Sequence, residues 1–308
     1  MRAIITGVGG LLGSGLAAHL KSCGYEVIGI SRTQIKDPNV DTFFKCDLSD
    51  SNVSRGDWTF LAPATVFHLA GNTQVYEKSS NFWGDNVTAT VTACEIAKQT
   101  GNKMIFVSSS AVYSGEKTRM GKDAGLLTED DPTSPQQKYG LSKRVAEDVI
   151  RLMDVNAIIF RLFAVLSSGL VGIKNRGNLI QSIELAVRTG SVVRVLNSMR
   201  QGSESSSPVR DYVMDSDVYK FLAKGEQLLS MGDIRGVKVF NLCSGLGTDV
   251  YSMIEAAERY SGKKIRVEDF YGERSDSEVM VGSPARLREV FGAVPEKQVD
   301  EFWRELFK

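Results

Sequence analysis

The stretch that decides the fold is "TGVGGLLGSGLAAHL", residues 6–20. It follows directly on "AIIT" (3–6), which reads as a strand, and it opens an amphipathic helix over Leu11–Lys21. Gly7, Gly10 and Gly13 stand in the spacing G-x-x-G-x-x-G. A first glycine permits a tight strand-to-helix turn, a second lets backbone amides approach a pyrophosphate, and a third lets the helix pack on the strand. The helix N-terminus then offers unpaired N–H groups and a partial positive charge to phosphate. Strand, glycine turn and helix together predict a dinucleotide site around Gly7, Gly10, Leu11, Leu12 and Gly13.

Outward from that turn, strands and helices alternate. "EVIGIS" (26–31), "FFKC" (43–46), "TVFHLA" (65–70), "KMIFVSSS" (103–110) and "NAIIFRLF" (156–163) read as strands. Helices fall over about 86–99 and from near Pro135 to about Met153. Strands this apolar, alternating with helices, indicate a parallel sheet covered on both faces. After Ser167 the pattern changes, with helices near 179–188, 215–230 and 249–261, strands "SVVRVL" (191–196) and "VKVFNL" (237–242), and two terminal helical segments. The expectation is an α/β fold with a Rossmann-type doubly wound sheet over 1–165, to which 210–247 returns. A smaller α/β lobe from 166–209 and 248–308 would bind substrate.

The end of the second strand discriminates between cofactors. An acidic residue there binds the ribose 2′-hydroxyl of NAD, whereas an arginine suits a 2′-phosphate. "GISRT" puts Ser31 and Arg32 in that place and leaves Asp37 beyond the strand, which favours NADP(H), with NAD(H) the alternative.

Composition excludes several classes. Hydrophobic residues are 42% and charged residues 24%, the make-up of a soluble globule. Lysine plus arginine equals aspartate plus glutamate at 37 each, so no global field draws in nucleic acid or an anionic membrane. His19 and His68 leave little material for a histidine-built metal centre, and no metal is expected. Cys23, Cys46, Cys94 and Cys243 are scattered and read as small buried hydrophobes in a reducing compartment. No charged-then-apolar pattern precedes "RAIITG", and no apolar run approaches the ~18 residues that span a bilayer. A soluble cytoplasmic protein is expected.

"KYGLSK" (138–143) sets Tyr139 and Lys143 four apart, on one face of a helix. A phenol with a pKa near ~10 is a poor base at neutral pH, and a close ammonium lowers it. Alternatively, Tyr139 is a capping-turn aromatic and Lys143 an exposed partner for Glu147. The helical wheel assigns the buried stripe to Leu141, Val145, Val149 and Leu152, with Tyr139, Lys143, Ala146 and Ile150 along its edge.

Taken together, "TGVGGLLG", "CDL" (46–48), "HLAG" (68–71), "SSSAVYS" (108–114), "YGLSK" (139–143) and "VRDYV" (209–213) resemble, in order and spacing, the extended short-chain dehydrogenase/reductases. These are the nucleotide-sugar epimerases, dehydratases and reductases. The resemblance implies that Asp47 and Leu48 hold the adenine. It also implies that the backbone of Leu69, Ala70 and Gly71 lines the cofactor, which leaves His68 structural. Asn86 would support the active-site geometry beside the cofactor. Ser109, with Ser110 as the neighbouring candidate, would join Tyr139 and Lys143 as the catalytic set. Tyr113, Arg210 and Arg274 would meet the nucleoside-diphosphate sugar. A homodimer through the Asn86 and Pro135 helices follows from the resemblance alone.

Within the family, Ser110-Ala111-Val112 lacks the acidic pair that the 4,6-dehydratases use, so dehydration is not expected. The main reading is an NADPH-dependent reductase of a nucleotide-linked 4-keto-6-deoxyhexose, because of Arg32 and a C-terminal stretch similar to the GDP-4-keto-6-deoxymannose reductases. The alternatives are a 4-epimerase with retained NAD, which "SSSAVY" resembles more, and an inactive dinucleotide-binding regulator. Ala164 stands where the family usually has an asparagine toward the substrate.

Overall fold

Alternate residues of a strand face opposite sides of its sheet, so a strand between two helical layers must bury both sets. In the computed structural model, which describes residues 1–73, 81–113, 125–170, 179–198, 207–272, 278–296 and 299–308, the central strands do this. The first elements in chain order are β1 (Arg2–Thr6), α1 (Leu11–Ser22), β2 (Glu26–Ser31), β3 (Thr42–Lys45), α2 (Ser51–Ser54), β4 (Thr65–His68), α3 (Ala89–Thr100) and β5 (Lys103–Ser109). Next come α4 (Lys138–Leu152), β6 (Asn156–Leu162), β7 (Ala164–Leu166), α5 (Leu179–Thr189), β8 (Val192–Ser198), β9 (Val209–Met214), α6 (Asp215–Met231) and β10 (Val237–Leu242). The chain ends with β11 (Gly247–Asp249), α7 (Val250–Ser261), β12 (Arg266–Gly272), β13 (Val279–Met280), α8 (Ala285–Phe291) and α9 (Val299–Leu306).

The chain forms two compact units. The first comprises Met1–Val112, Thr133–Leu162 and Val218–Phe240. Its seven-stranded sheet runs β10-β6-β5-β4-β1-β2-β3, and the pairs from β6 to β3 are parallel. This is the doubly wound sheet expected from the sequence.

Pleating sorts the side chains. Met104, Phe106, Ala157 and Ile159 join Ala93, Cys94, Ala146 and Ile150 in one core, which puts α3 and α4 on one face. On the opposite face a Cβ at Gly225 of α6 would stand 3.2 Å from Phe160 and 3.3 Å from Ile105. Extending the first set by two residues brings Ser108 and Arg161, paired in register, to the α3/α4 face. The same period brings His68, two after Val66, and Thr6, two after Ile4, to that face. The carboxyl ends of four adjacent strands therefore present polar side chains to α3 and α4.

The second unit comprises Tyr113–Pro132, Phe163–Asp217 and Asn241–Lys308. There β9 pairs with β7, β11 and β13, while β8 pairs with β12. Its core gathers Leu166, Ile183, Val193, Met253, Phe302 and Trp303. These bounds differ from the expected ones. Because β9 finds its partners in the smaller sheet, only Val218–Phe240 returns to the first unit, and 113–132 joins the second, where Leu127 exchanges backbone hydrogen bonds with Val281 and Ser283.

Helix α4 corrects the wheel. Leu141 is 52% exposed and Leu152 86%, whereas Gly140, Ser142, Lys143, Ala146, Glu147 and Ile150 are buried. The polar members of that set are buried because each finds a partner, Lys143 and Glu147 on the sheet and Ser142 at Asn86 and the Tyr139 carbonyl, and a paired polar face outcompetes an unpaired apolar one. The thiols also depart from expectation: Cys94 and Cys243 are buried, but Cys23 is exposed and Cys46 intermediate, all four free. Among the described residues no helix is long and apolar enough to cross a membrane.

Candidate active site

The glycine turn has the backbone its role requires. Gly7 adopts φ +72°, and a Cβ there would stand 2.7 Å from Ala70 Cα; a Cβ at Gly13 would stand 2.2 Å from the Gly7 carbonyl oxygen. Only glycine fits both places. Gly10 caps α1 without a side-chain hydrogen bond, and the first turn carries no acidic residue. The amides of Leu11, Leu12 and Gly13 and the positive end of the helix dipole are thus left to an anion. A cradle closed to any Cβ beside an uncompensated helix N-terminus fits a dinucleotide pyrophosphate.

Around the turn the expected cofactor residues divide. Ser31 ends β2 close to the turn, since a Cβ at Gly9 would stand 3.5 Å from its Oγ. Arg32 donates from Nη1 to Asp85 Oδ1 at 2.7 Å instead of standing free. Asp47 accepts from the backbone N–H and the hydroxyl of Ser49, and Leu48 packs its side chain into the core. Leu69 and Ala70 are half-buried and Gly71 exposed. A Cβ at Gly71 would stand 3.0 Å from Asn86 Oδ1 and 3.2 Å from Lys143 Nζ, so this glycine admits the two polar side chains beneath it.

Before α3, Trp83–Thr88 winds as a π-helix, a wide turn that often marks functional sites. It sends consecutive residues to different partners. Asp85 Oδ2 accepts from Asn72 Nδ2 at 2.9 Å, while Asn86 Nδ2 donates to Ser142 Oγ at 2.8 Å and its Oδ1 accepts from Asn72 N at 2.7 Å. Ser142 in turn donates to the Tyr139 carbonyl at 2.8 Å. Asn86 thereby ties the turn to the first turn of α4.

Of the catalytic candidates in the first unit, Ser109 and Tyr139 meet, and Lys143 lies one turn on from Tyr139 in α4. Ser109 ends β5, Ser110 opens the single 3₁₀ turn that follows, and the Ser109 hydroxyl hydrogen-bonds the Tyr139 phenol. Gly140 allows this approach, because a Cβ there would stand 2.4 Å from the Ala111 carbonyl oxygen. Burial raises the Tyr139 pKa, and the hydrogen bond from Ser109 opposes the rise. Lys143 Nζ donates to the Val107 carbonyl at 3.0 Å and lies 4.9 Å over the Phe106 ring. Burial pushes its pKa down to about 8, against the pull of Glu147. The expectation that an ammonium would dominate the phenol is thus corrected: desolvation dominates both groups.

His68 is held by a directional chain. Thr90 donates to the Asn86 carbonyl at 2.6 Å, so its oxygen accepts from His68 Nε2 at 3.1 Å, and His68 Nδ1 accepts from the Thr6 hydroxyl at 2.7 Å. Burial, with the Lys143 charge second, pushes the ring down to about 3, so it is neutral and structural.

Sequence reasoning missed the group beneath Lys143. Glu147 accepts from Ser108 Oγ at 2.7 Å, from Arg161 Nε at 3.0 Å and from Arg161 Nη2 at 2.8 Å. It was legible only as an i, i+4 neighbour of Lys143; the period-2 placement of Ser108 and Arg161 was the available signal. Asp85, in the turn before α3, carried none.

In the second unit, Tyr113 is 2% exposed and donates its hydroxyl to Asn241 Oδ1 at 2.8 Å, which leaves no phenolic proton for a substrate. Arg210 donates to the carbonyls of Val209 and Glu278. Arg274 lies outside the described residues. Asp211, beside Arg210, accepts from Ser244, Gly245 and Gly282 and pins β9 to two loops. Among the described residues no group of three or more His, Cys, Asp or Glu side chains is placed to hold a metal.

A glycine turn shaped for a pyrophosphate, with serine, tyrosine and lysine gathered at the carboxyl ends of a parallel sheet, defines a dinucleotide-dependent enzyme of the short-chain dehydrogenase/reductase kind. Residues 3–227 match the NAD dependent epimerase/dehydratase family, and the chain belongs to it. It is 28% identical over 281 residues to UDP-glucose 4-epimerase 2 of Oryza sativa subsp. japonica, covering 85% of this chain and 67% of that one. It is 25% identical over 336 residues to UDP-glucose 4-epimerase of Bacillus subtilis, covering 99% and 96%. In fold it is similar to a Stenotrophomonas maltophila UDP-glucose-4-epimerase solved with NAD and formylated UDP-arabinopyranose, at TM-score 0.86, 18% identity, and 100% and 97% coverage. MoeE5, solved with UDP-glucuronic acid and NAD, is similar at TM-score 0.80, 22% identity, and 98% and 96% coverage.

Proposed function

We propose that this chain is a nucleotide-sugar 4-epimerase that keeps NAD bound and inverts a sugar hydroxyl on a UDP-linked substrate. The observation that carries the reading is the hydrogen bond between Ser109 and Tyr139 at the carboxyl end of β5. Full-length relatives named as UDP-glucose 4-epimerases support it over a reductase. When bound, the nicotinamide supplies the hydride acceptor and donor. Tyr139 takes the hydroxyl proton as that carbon is oxidised and returns it when the carbon is reduced on its other face, so no net redox change remains. Burial holds Tyr139 as phenol, the form that donates, and Ser109 stabilises the phenolate that accepts. Lys143 brings a buried positive charge behind the pair. Arg210 and Arg274 are assigned to the diphosphate. A homodimer through α3 and α4 belongs to the same reading, supported by the exposed Leu141 and Leu152.

The test is interconversion of UDP-glucose and UDP-galactose without added cofactor, with the nucleotide released from purified protein identified as NAD. Tyr139→Phe should lower turnover by about 10²–10⁴-fold while the dinucleotide stays bound. Unchanged activity removes Tyr139 from the mechanism. The second reading, an NADPH-dependent keto-sugar reductase, rests on Ser31 and Arg32 standing where an acid would mark NAD. Stoichiometric consumption of NADPH with a 4-keto sugar, and no interconversion, would establish it instead.

A further inference from the structure

The end of β2 poses a contradiction. It carries no acid to bind a ribose 2′-hydroxyl, yet the guanidinium suited to a 2′-phosphate is already engaged. Arg32 Nη1 donates to Asp85 Oδ1 at 2.7 Å, across 53 positions of sequence. The two side chains differ in exposure, 58% for Arg32 and 12% for Asp85. The arginine reaches in from solvent to a carboxylate that is nearly enclosed.

That carboxylate has little freedom to move aside. Its second oxygen accepts from Asn72 Nδ2, whose backbone N–H and carbonyl are both held by the Asn86 side chain, and Asn86 is tied in turn to Ser142 on α4. The π turn that places Asn86 for the active site therefore also places Asp85 toward β2. A 2′-phosphate seeking Arg32 would approach this fixed negative charge, and drawing the guanidinium away would leave a largely buried carboxylate short of its cation.

We propose that Asp85 is the specificity-determining carboxylate of the dinucleotide site. It supplies from the turn before α3 the negative charge that β2 lacks, masks Arg32, and sets the chain to prefer NAD over NADP. The inference needs only dinucleotide binding, so it stands or falls separately from the epimerase reading.

The experiment is a competition read by binding. Whole protein is equilibrated with an equimolar excess of NAD and NADP until the bound ratio is constant, freed of unbound nucleotide, and denatured, and the two nucleotides are quantified. Wild-type protein is expected to hold NAD over NADP by about tenfold or more. Asp85→Asn is expected to shift that ratio by about tenfold toward NADP, because Arg32 is released to a phosphate. Adding Arg32→Gln to Asp85→Asn should abolish the shift. Arg32→Gln alone should keep the bound ratio in favour of NAD, because Asp85 retains its negative charge toward a 2′-phosphate. This variant decides the matter even if Asp85→Asn fails to fold. A wild-type preference for NADP, an unmoved ratio in Asp85→Asn, or a bound ratio that favours NADP in Arg32→Gln overturns the proposal.

Discussion

Two ion pairs of the first unit invite comparison: Arg161–Glu147 beneath Lys143 and Arg32–Asp85 at the end of β2. The side chains of the first are 5% and 0% exposed, and those of the second 58% and 12%. In the first, the carboxylate accepts from Ser108, from two nitrogens of Arg161 and, at 3.5 Å, from Arg151 Nη2, and so joins α4 to β5 and β6. In the second, one partner is in solvent while the other is nearly enclosed. Burial turns the one pair into a commitment of the fold and leaves the other available to specificity.

The largest expected effect is on the buried pair. Glu147→Gln leaves Arg161 charged and enclosed, and should cost about 3–5 kcal/mol in chemical denaturation. Replacing both, as Glu147→Leu with Arg161→Met, should recover most of that loss. If the single variant loses less than about 1 kcal/mol, the pair is no more committed than a surface one and the comparison collapses.

Next in size is the acid response of His68. Folded, its ring stays neutral down to about 3; unfolded, it protonates near 6.5. Proton uptake by the unfolded chain therefore removes stability as pH falls below 6.5, by about 2 kcal/mol at pH 5. His68→Gln should flatten the unfolding free energy between pH 6.5 and 5, and an unchanged slope would place the acid sensitivity elsewhere.

Lys143 has the same sign in a higher pH window. Its pKa is pushed down from 10.5 to about 8, so the unfolded chain binds the extra proton between those values and the group's contribution to stability rises with pH across them. The ammonium itself is lost above about pH 8, and kcat/KM is expected to fall there. Because Glu147 pulls this pKa upward, Glu147→Gln should move the falling limb to lower pH if the protein remains folded. A limb that stays put would confine Glu147 to a structural role.

Least affected should be the stability of the half-exposed pair. Asp85→Asn should change unfolding free energy by no more than about 1 kcal/mol. A larger loss would make this pair a second structural commitment and weaken its assignment to specificity.

Much of the first unit was legible. The strand–glycine–helix order fixes where a pyrophosphate fits, and an i, i+4 spacing is enough to put Tyr139 and Lys143 on one face. The stripe on α4 was misread because an apolar wheel ranks Leu141 and Leu152 above Lys143 and Glu147. Hydropathy counts the cost of burying a charge but not the partner that offsets it. Likewise "VRDYV" reads as part of the large sheet until its neighbours β7, β11 and β13 are known.

By itself the sequence determined the period-2 strands, the glycine turn and the spacing of Tyr139 and Lys143, since each depends on backbone conformation and spacing within a few residues. Only the tertiary structure decided which charges meet. Arg32 and Asp85 lie 53 positions apart, and Arg161 reaches Glu147 from another element. Electrostatic energy depends on distance and burial, and neither can be read from separation along the chain.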